Sequence, residues 1–132
     1  MIVLKNDIEL MRYLHTYGLK KAYMLEDIYV SKKGNVVCIK LFKNGYRVKE
    51  IKTSQGVNGM IKFNYTKNGK VTTQLLHKAI YNTFNNIKCE YGDICFIDGD
   101  LNNCSYNNLI TVNDLLKEYR QLHKIKSINA YN

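Results

Sequence analysis

Asn44-Gly45 and Asn68-Gly69 each stand between two runs rich in apolar and β-branched residues. Asn and Gly adopt the positive φ that a tight loop needs to match the right-handed twist of its flanking strands. The pairs therefore predict two β-hairpins. The first joins a strand over residues 36–42 to a return strand over 46–52, preceded by a short strand near 28–31 and a turn at Lys33-Gly34-Asn35. The second joins 60–65 to 71–76, with Lys67 and Lys70 at the tip and Lys62 on the approaching strand. In the return strand Arg47 and Lys49 share one face, and Tyr46 and Val48 the other. Residues 53–59, which contain two glycines, read as a loop.

Helical spacing appears in three places. Asn6-Asp7 caps a segment with Ile8, Met11 and Leu14 on one stripe that stops before Gly18, and residues 20–27 follow as a connector. Leu76, Ile80 and Phe84 repeat every four residues, which marks a second helix with that side buried. Asn113 reads as the cap of a last helix with Leu115, Leu116, Tyr119, Leu122 and Ile125 as its apolar stripe, while Lys117, Arg120, Lys124 and Lys126 face away. The class is therefore α+β. The expected order is an N-terminal helix and connector (1–26), a basic β-hairpin module forming a small antiparallel sheet (27–74), a compact finger with the C-terminal helix (75–126), and a frayed tail (127–132).

Residues 75–116 carry the most specific pattern. Phe96-Ile97-Asp98-Gly99-Asp100-Leu101-Asn102-Asn103 and Asn107-Asn108-Leu109-Ile110-Thr111-Val112 crowd Asp, Gly and Asn between short apolar runs. Such a composition marks a loop held by side-chain to backbone hydrogen bonds. Together with Leu76-His77-Lys78-Ala79-Ile80-Tyr81-Asn82-Thr83-Phe84, these segments occur in the order seen in the HNH endonucleases of phages and mobile introns, which the chain resembles. Residues 27–36, with Tyr29-Val30-Ser31, Gly34 and Val36, resemble a small module that often precedes HNH domains.

The resemblance implies a ββα finger closed by a helix, and in active members one divalent cation and a histidine that activates water. Here the hydrolytic histidine falls on Phe96. The metal-binding Asp or Asn before it falls on Cys95, and the last ligand falls at or near Lys117. A phenyl ring accepts no proton, and an ammonium group takes the place of a cation instead of ligating one. Asn108 matches the middle Asn of the family name, which pins the loop. The residue matching Asp98 shapes the Asp-Gly turn, and His77 matches a histidine that is not the family's base.

The 132 residues carry a formal net charge of +9, unevenly placed. From residue 28 to 89 there are twelve Lys or Arg against one acid, Glu50; from 90 to 118 there are six acids against Lys117 alone. A basic block of this size draws polyanions, because each phosphate it neutralises releases condensed counterions. Hydrophobic content of 45% and charge of 23% exclude a disordered chain. No apolar run nears the ~20 residues of a membrane span, and Met1-Ile2-Val3-Leu4-Lys5 is too short for a leader, so a cytoplasmic protein without membrane attachment is expected. Cys38, Cys89, Cys95 and Cys104 read as free thiols; the last three with His77 supply zinc-ligand atoms without the paired spacing zinc sites favour. The abundance of Lys, Asn, Ile and Tyr fits a low-GC genome.

These features lead to an expectation of a catalytically inactive HNH-like protein with no cofactor. It would bind duplex DNA through Lys43, Arg47, Lys49, Lys62, Lys67, Lys70, Lys78 and Lys117. Two alternatives stand beside it. One is a phage interaction protein that inhibits a host defence enzyme. The other is an active endonuclease with a rearranged site, using His77 with Asp98 or Asp100 and Mg²⁺ or Mn²⁺.

Overall fold

The computed structural model describes residues 1–130, with the side chains of Tyr91 and of residues 124–130 outside that description. Strands β1 (Ile2–Leu4), β2 (Leu19–Lys21), β3 (Ile28–Ser31), β4 (Val36–Phe42) and β5 (Gly45–Glu50) form an antiparallel sheet in the order β1-β5-β4-β3-β2. Strands β6 (Thr53–Gln55), β7 (Ile61–Lys67) and β8 (Lys70–Leu75) make a second sheet, and β9 (Ile94–Phe96) pairs with β10 (Leu109–Thr111) in a third. Helices α1 (Asp7–Tyr17), α2 (Leu76–Asn85) and α3 (Val112–Ala130) complete an α+β fold, as the patterning implied.

β4 explains how the layers stack. Its run Val36-Val37-Cys38-Ile39 is apolar at successive positions because each side of the sheet has its own core. Val37 and Ile39 join Leu4, Leu19 and Val48 beneath Leu10, Tyr13 and Leu14 of α1. Val36, with Cys38 packed against it, faces the opposite way onto Ile28, Val30, Phe63, Leu76 and Ile80, the larger core under α2 and β7.

The structure corrects several local expectations. Three-residue strands β1, β2 and β6 lie where no strand was expected: ahead of the first helix, at the start of the connector and in the 53–59 loop; each is too short to display alternation. α1 begins as expected, the Asn6 side chain accepting from the Glu9 amide at 2.9 Å. Its inward face is nevertheless Leu10, Tyr13 and Leu14, while Ile8 and Met11 are exposed. The helix is apolar on two stripes, and its anchorage between β1 and β2 selects between them.

The two Asn-Gly turns differ. Asn68 and Gly69 both take positive φ, as expected for the second hairpin. In the first, Phe42 pairs with Gly45, so Lys43 and Asn44 make the loop and only Gly45 has positive φ, +119°. Glycine is required there because a Cβ would lie 2.2 Å from the Leu4 carbonyl oxygen of β1.

α3 starts one residue earlier than its expected cap, and the Thr111 hydroxyl, not Asn113, accepts from the Asp114 amide at 3.2 Å. Its stripe is not buried: Leu115, Leu116, Tyr119 and Leu122 are all exposed. The backbone is helical to Ala130, past the expected boundary at 126. The expected orientations of Lys124, Ile125 and Lys126 lie outside the described side chains, and residues 131–132 outside the described chain. No described helix is long and apolar enough to cross a membrane.

Candidate nucleic-acid interface and the finger beside it

The loop between β9 and β10 is tied around one buried side chain, Asn108. Its Oδ1 accepts from the Asp98 amide at 3.1 Å. Its Nδ2 donates to Asp98 Oδ1 and to the Asn103 carbonyl, both at 2.9 Å. Asp98 gathers the rest: Asn103 Nδ2 donates to Oδ2 at 2.9 Å and the Asp100 amide to Oδ1 at 2.8 Å. Asp100 in turn accepts from the Asn102 amide at 3.0 Å. The Asp and Asn residues thus satisfy the backbone of a loop too short to satisfy itself.

The Asn103 amide, the Asp100 backbone N–H and the Asn108 amide hold the Asp98 carboxyl below the usual carboxylate range. A carboxylate with a lowered native pKa contributes stability that is present above its unfolded pKa and lost as pH falls through the native one. Melting temperature should therefore drop as pH falls below about 4. Asp98→Asn should be less stable at neutral pH and show a flatter profile over that acid range. An unchanged profile in the variant would show that Asp98 does not anchor the loop.

His77 is completely buried in α2, its ring 4.8 Å from the ring of Phe96 at an angle of 51°. Asp98 and Asp100 lie on the exposed loop instead. Cys95 is half-buried, and burial pushes the Cys104 thiol up to about 11. Among the described residues no three His, Cys, Asp or Glu side chains gather as a metal-ligand set.

The basic side chains fall into separate groups. Lys40 and Arg47 are direct cross-strand partners, and Lys49 lies opposite Cys38 on the same face. The Arg47 guanidinium sits 4.1 Å from the centroid of the Phe42 ring, and Lys43 is at the turn beyond. Lys67 faces Lys70 across the second hairpin tip, both exposed. Lys62, five positions earlier on the same strand, is half-buried on the other face of the ribbon, so it does not join the tip pair. Lys78 bonds to Glu90 at 3.2 Å, which is the one ion pair within 4 Å among the described residues. Lys117 is exposed on α3, separate from the hairpins in the chain.

Lys40 was missed: a loop at Asn44-Gly45 would set it opposite Lys49, and the observed loop one residue earlier sets it opposite Arg47. Also missed were Lys20 and Lys32, whose ammonium groups lie 6.0 and 5.4 Å from the Phe84 ring centroid.

No protein-family model and no curated protein matches this chain. Among solved structures, the HNH homing endonuclease I-HmuI, described for DNA binding and cleavage, is similar with a TM-score of 0.52 and 24% sequence identity. The likeness covers 77% of this chain and 55% of that one, so the chain spans about half of its neighbour's length. Over about three quarters of its length the chain thus shares the fold of an HNH homing endonuclease.

Proposed function

We propose that this protein is a catalytically inactive HNH-like protein that binds duplex DNA through its basic hairpin face. The observation that carries the reading is Phe96: at the position matching the family's water-activating histidine, a phenyl ring packs on buried His77. The chemistry of the neighbouring positions agrees. Cys95 offers a half-buried thiol and Lys117 an ammonium group where the family has ligands for a hard divalent cation, and such a cation does not fit that set. Metal and base act as a unit in hydrolysis, so losing both leaves no partial mechanism.

Binding needs neither a base nor a metal ligand. Lys40, Arg47 and Lys49 share one face of the sheet. Glu26 and Asp27 line the pocket beside Lys40 and Lys49, but among the described residues no carboxylate lies within 4 Å of the three cations; phosphate contacts of this kind supply affinity with little base preference. The Lys-, Asn- and Ile-rich composition supports a phage or mobile element acting inside its host cell as the source.

The test is titration of a labelled duplex across a range of salt, with Mg²⁺ or Mn²⁺ present and the products resolved on a denaturing gel. Uncut DNA with affinity falling steeply with salt is expected, and Phe96→His alone should leave it uncut. Metal-dependent cutting by the wild type would refute inactivity, and absence of binding even at low salt would refute the DNA reading.

A further inference from the structure

We infer that the cleft between the end of α1, the β3–β4 turn and the end of α2 is a second phosphate subsite, which takes one backbone phosphodiester of a nucleic acid. The inference rests on the DNA-binding reading but uses a different part of the surface. The cleft has a volume of 520 Å³ and is walled by His15, Tyr17, Ser31, Lys32, Lys33 and Phe84, with no carboxylate in its lining.

Two cations share one ring there. The Lys32 ammonium lies 5.4 Å from the Phe84 centroid and 4.8 Å from that of Tyr106, and the Lys20 ammonium lies 6.0 Å from Phe84. Lys20 reaches this side because it faces Val30 across the β2–β3 pair, and Val30 points into the core beneath α2. A ring face attracts an ammonium group without neutralising it. Lys78, by contrast, is matched by Glu90.

Lys32 is also held from behind. Its carbonyl accepts from the Tyr106 amide at 2.9 Å, and the turn it belongs to is closed by the Ser31 hydroxyl, which accepts from the Asn35 amide at 3.0 Å. A surface lysine ordinarily gives up rotamer freedom when it binds an anion; one whose backbone and head are already placed gives up less. The α1 C-terminus contributes a partial negative charge of about one half, and the three lysines outweigh it. Lys32 and Lys33 line the cleft and Lys20 shares the Phe84 ring with Lys32, so these like charges repel one another, and an oxyanion in the cleft offsets that term. A diester linking two sugars supplies this anion in an open cleft and gives it a high local concentration once the duplex is engaged elsewhere.

The experiment measures duplex affinity against salt for the wild type, Lys32→Gln, Tyr106→Phe and Tyr106→Leu, each checked for an unchanged fold by melting. Lys32→Gln should weaken binding several-fold near ~0.1 M salt and reduce the slope of log K against log salt by about 0.9. Tyr106→Phe, which keeps the ring, should bind like the wild type. Tyr106→Leu, which keeps the charge but removes the ring beneath it, should bind more weakly with the slope retained. A folded Lys32→Gln protein with wild-type affinity and slope overturns the subsite and leaves the DNA reading standing. A wild type that binds no duplex overturns both. Inorganic phosphate binding more tightly than the duplex makes the cleft a free-anion site and also overturns the inference.

Discussion

Asn108→Ala is expected to be the most damaging single change in the finger, costing roughly 3 kcal/mol and lowering the melting temperature by about 10 °C. The side chain is 9% exposed and makes three hydrogen bonds that no other residue can replace. Removing it leaves the Asp98 amide and the Asn103 carbonyl without their partner in a partly buried setting, and an unmet buried group costs more than a bond contributes. Asn108→Asp tests the same point from the other side. It keeps an acceptor for the Asp98 amide, loses both donors, and sets a second carboxylate against Asp98, so it should also be unstable and should recover on acidification. Thermal and urea unfolding measure both variants. A loss below ~1 kcal/mol for the alanine variant would mean that the loop is held by something other than Asn108.

The triple variant Lys40→Gln, Arg47→Gln, Lys49→Gln should lose most of the duplex affinity while keeping the fold. Three phosphate contacts correspond to a fall of about 2.7 in the salt slope and roughly a fifty- to hundredfold loss of affinity near ~0.1 M salt. Stability should move in the opposite direction. Lys40 and Arg47 stand directly across from each other, and like charges at paired positions destabilise a sheet, so neutral side chains should leave the melting temperature unchanged or slightly higher. Weakened binding with an intact melt separates a lost contact from a lost structure. Unchanged affinity would move the duplex off this face altogether.

The sequence made visible whatever is local. Asn68-Gly69 has the geometry it advertises because two positive φ angles in succession exclude most other residues. α2 is legible because Leu76, Ile80 and Phe84 lie on one side of a single core. The Asp98 to Asn108 loop is legible because its bonds run between residues at most ten positions apart. Harder to read were features assembled from distant segments. β1 is a strand only because β5 is beside it, and α1 chooses Leu10 over Ile8 only because β1 and β2 fix its roll. The exposed stripe of α3 repeats as regularly as a buried one, so spacing alone could not reveal that nothing in the described chain covers it. The cleft around Lys32 is lined from α1, the β3–β4 turn and α2, with Tyr106 of the finger against Lys32 itself, and no single stretch of sequence contains its pattern.

The placing of β1 also sets an order of events during synthesis on the ribosome. Ile2 pairs with Val48, so β1 has no partner until β5 has left the exit tunnel. Leu10, Tyr13 and Leu14 wait with it, since the floor on which they rest includes Ile39 and Val48. The hairpin of β4 and β5 can close by itself through its own turn, and β1 then adds an edge to it. Pausing translation before residue 48 would therefore leave the leading helix apolar, solvent-facing and open to chaperones. At Gly45 the Leu4 carbonyl passes too close for any side chain, so that late-formed edge tolerates glycine alone.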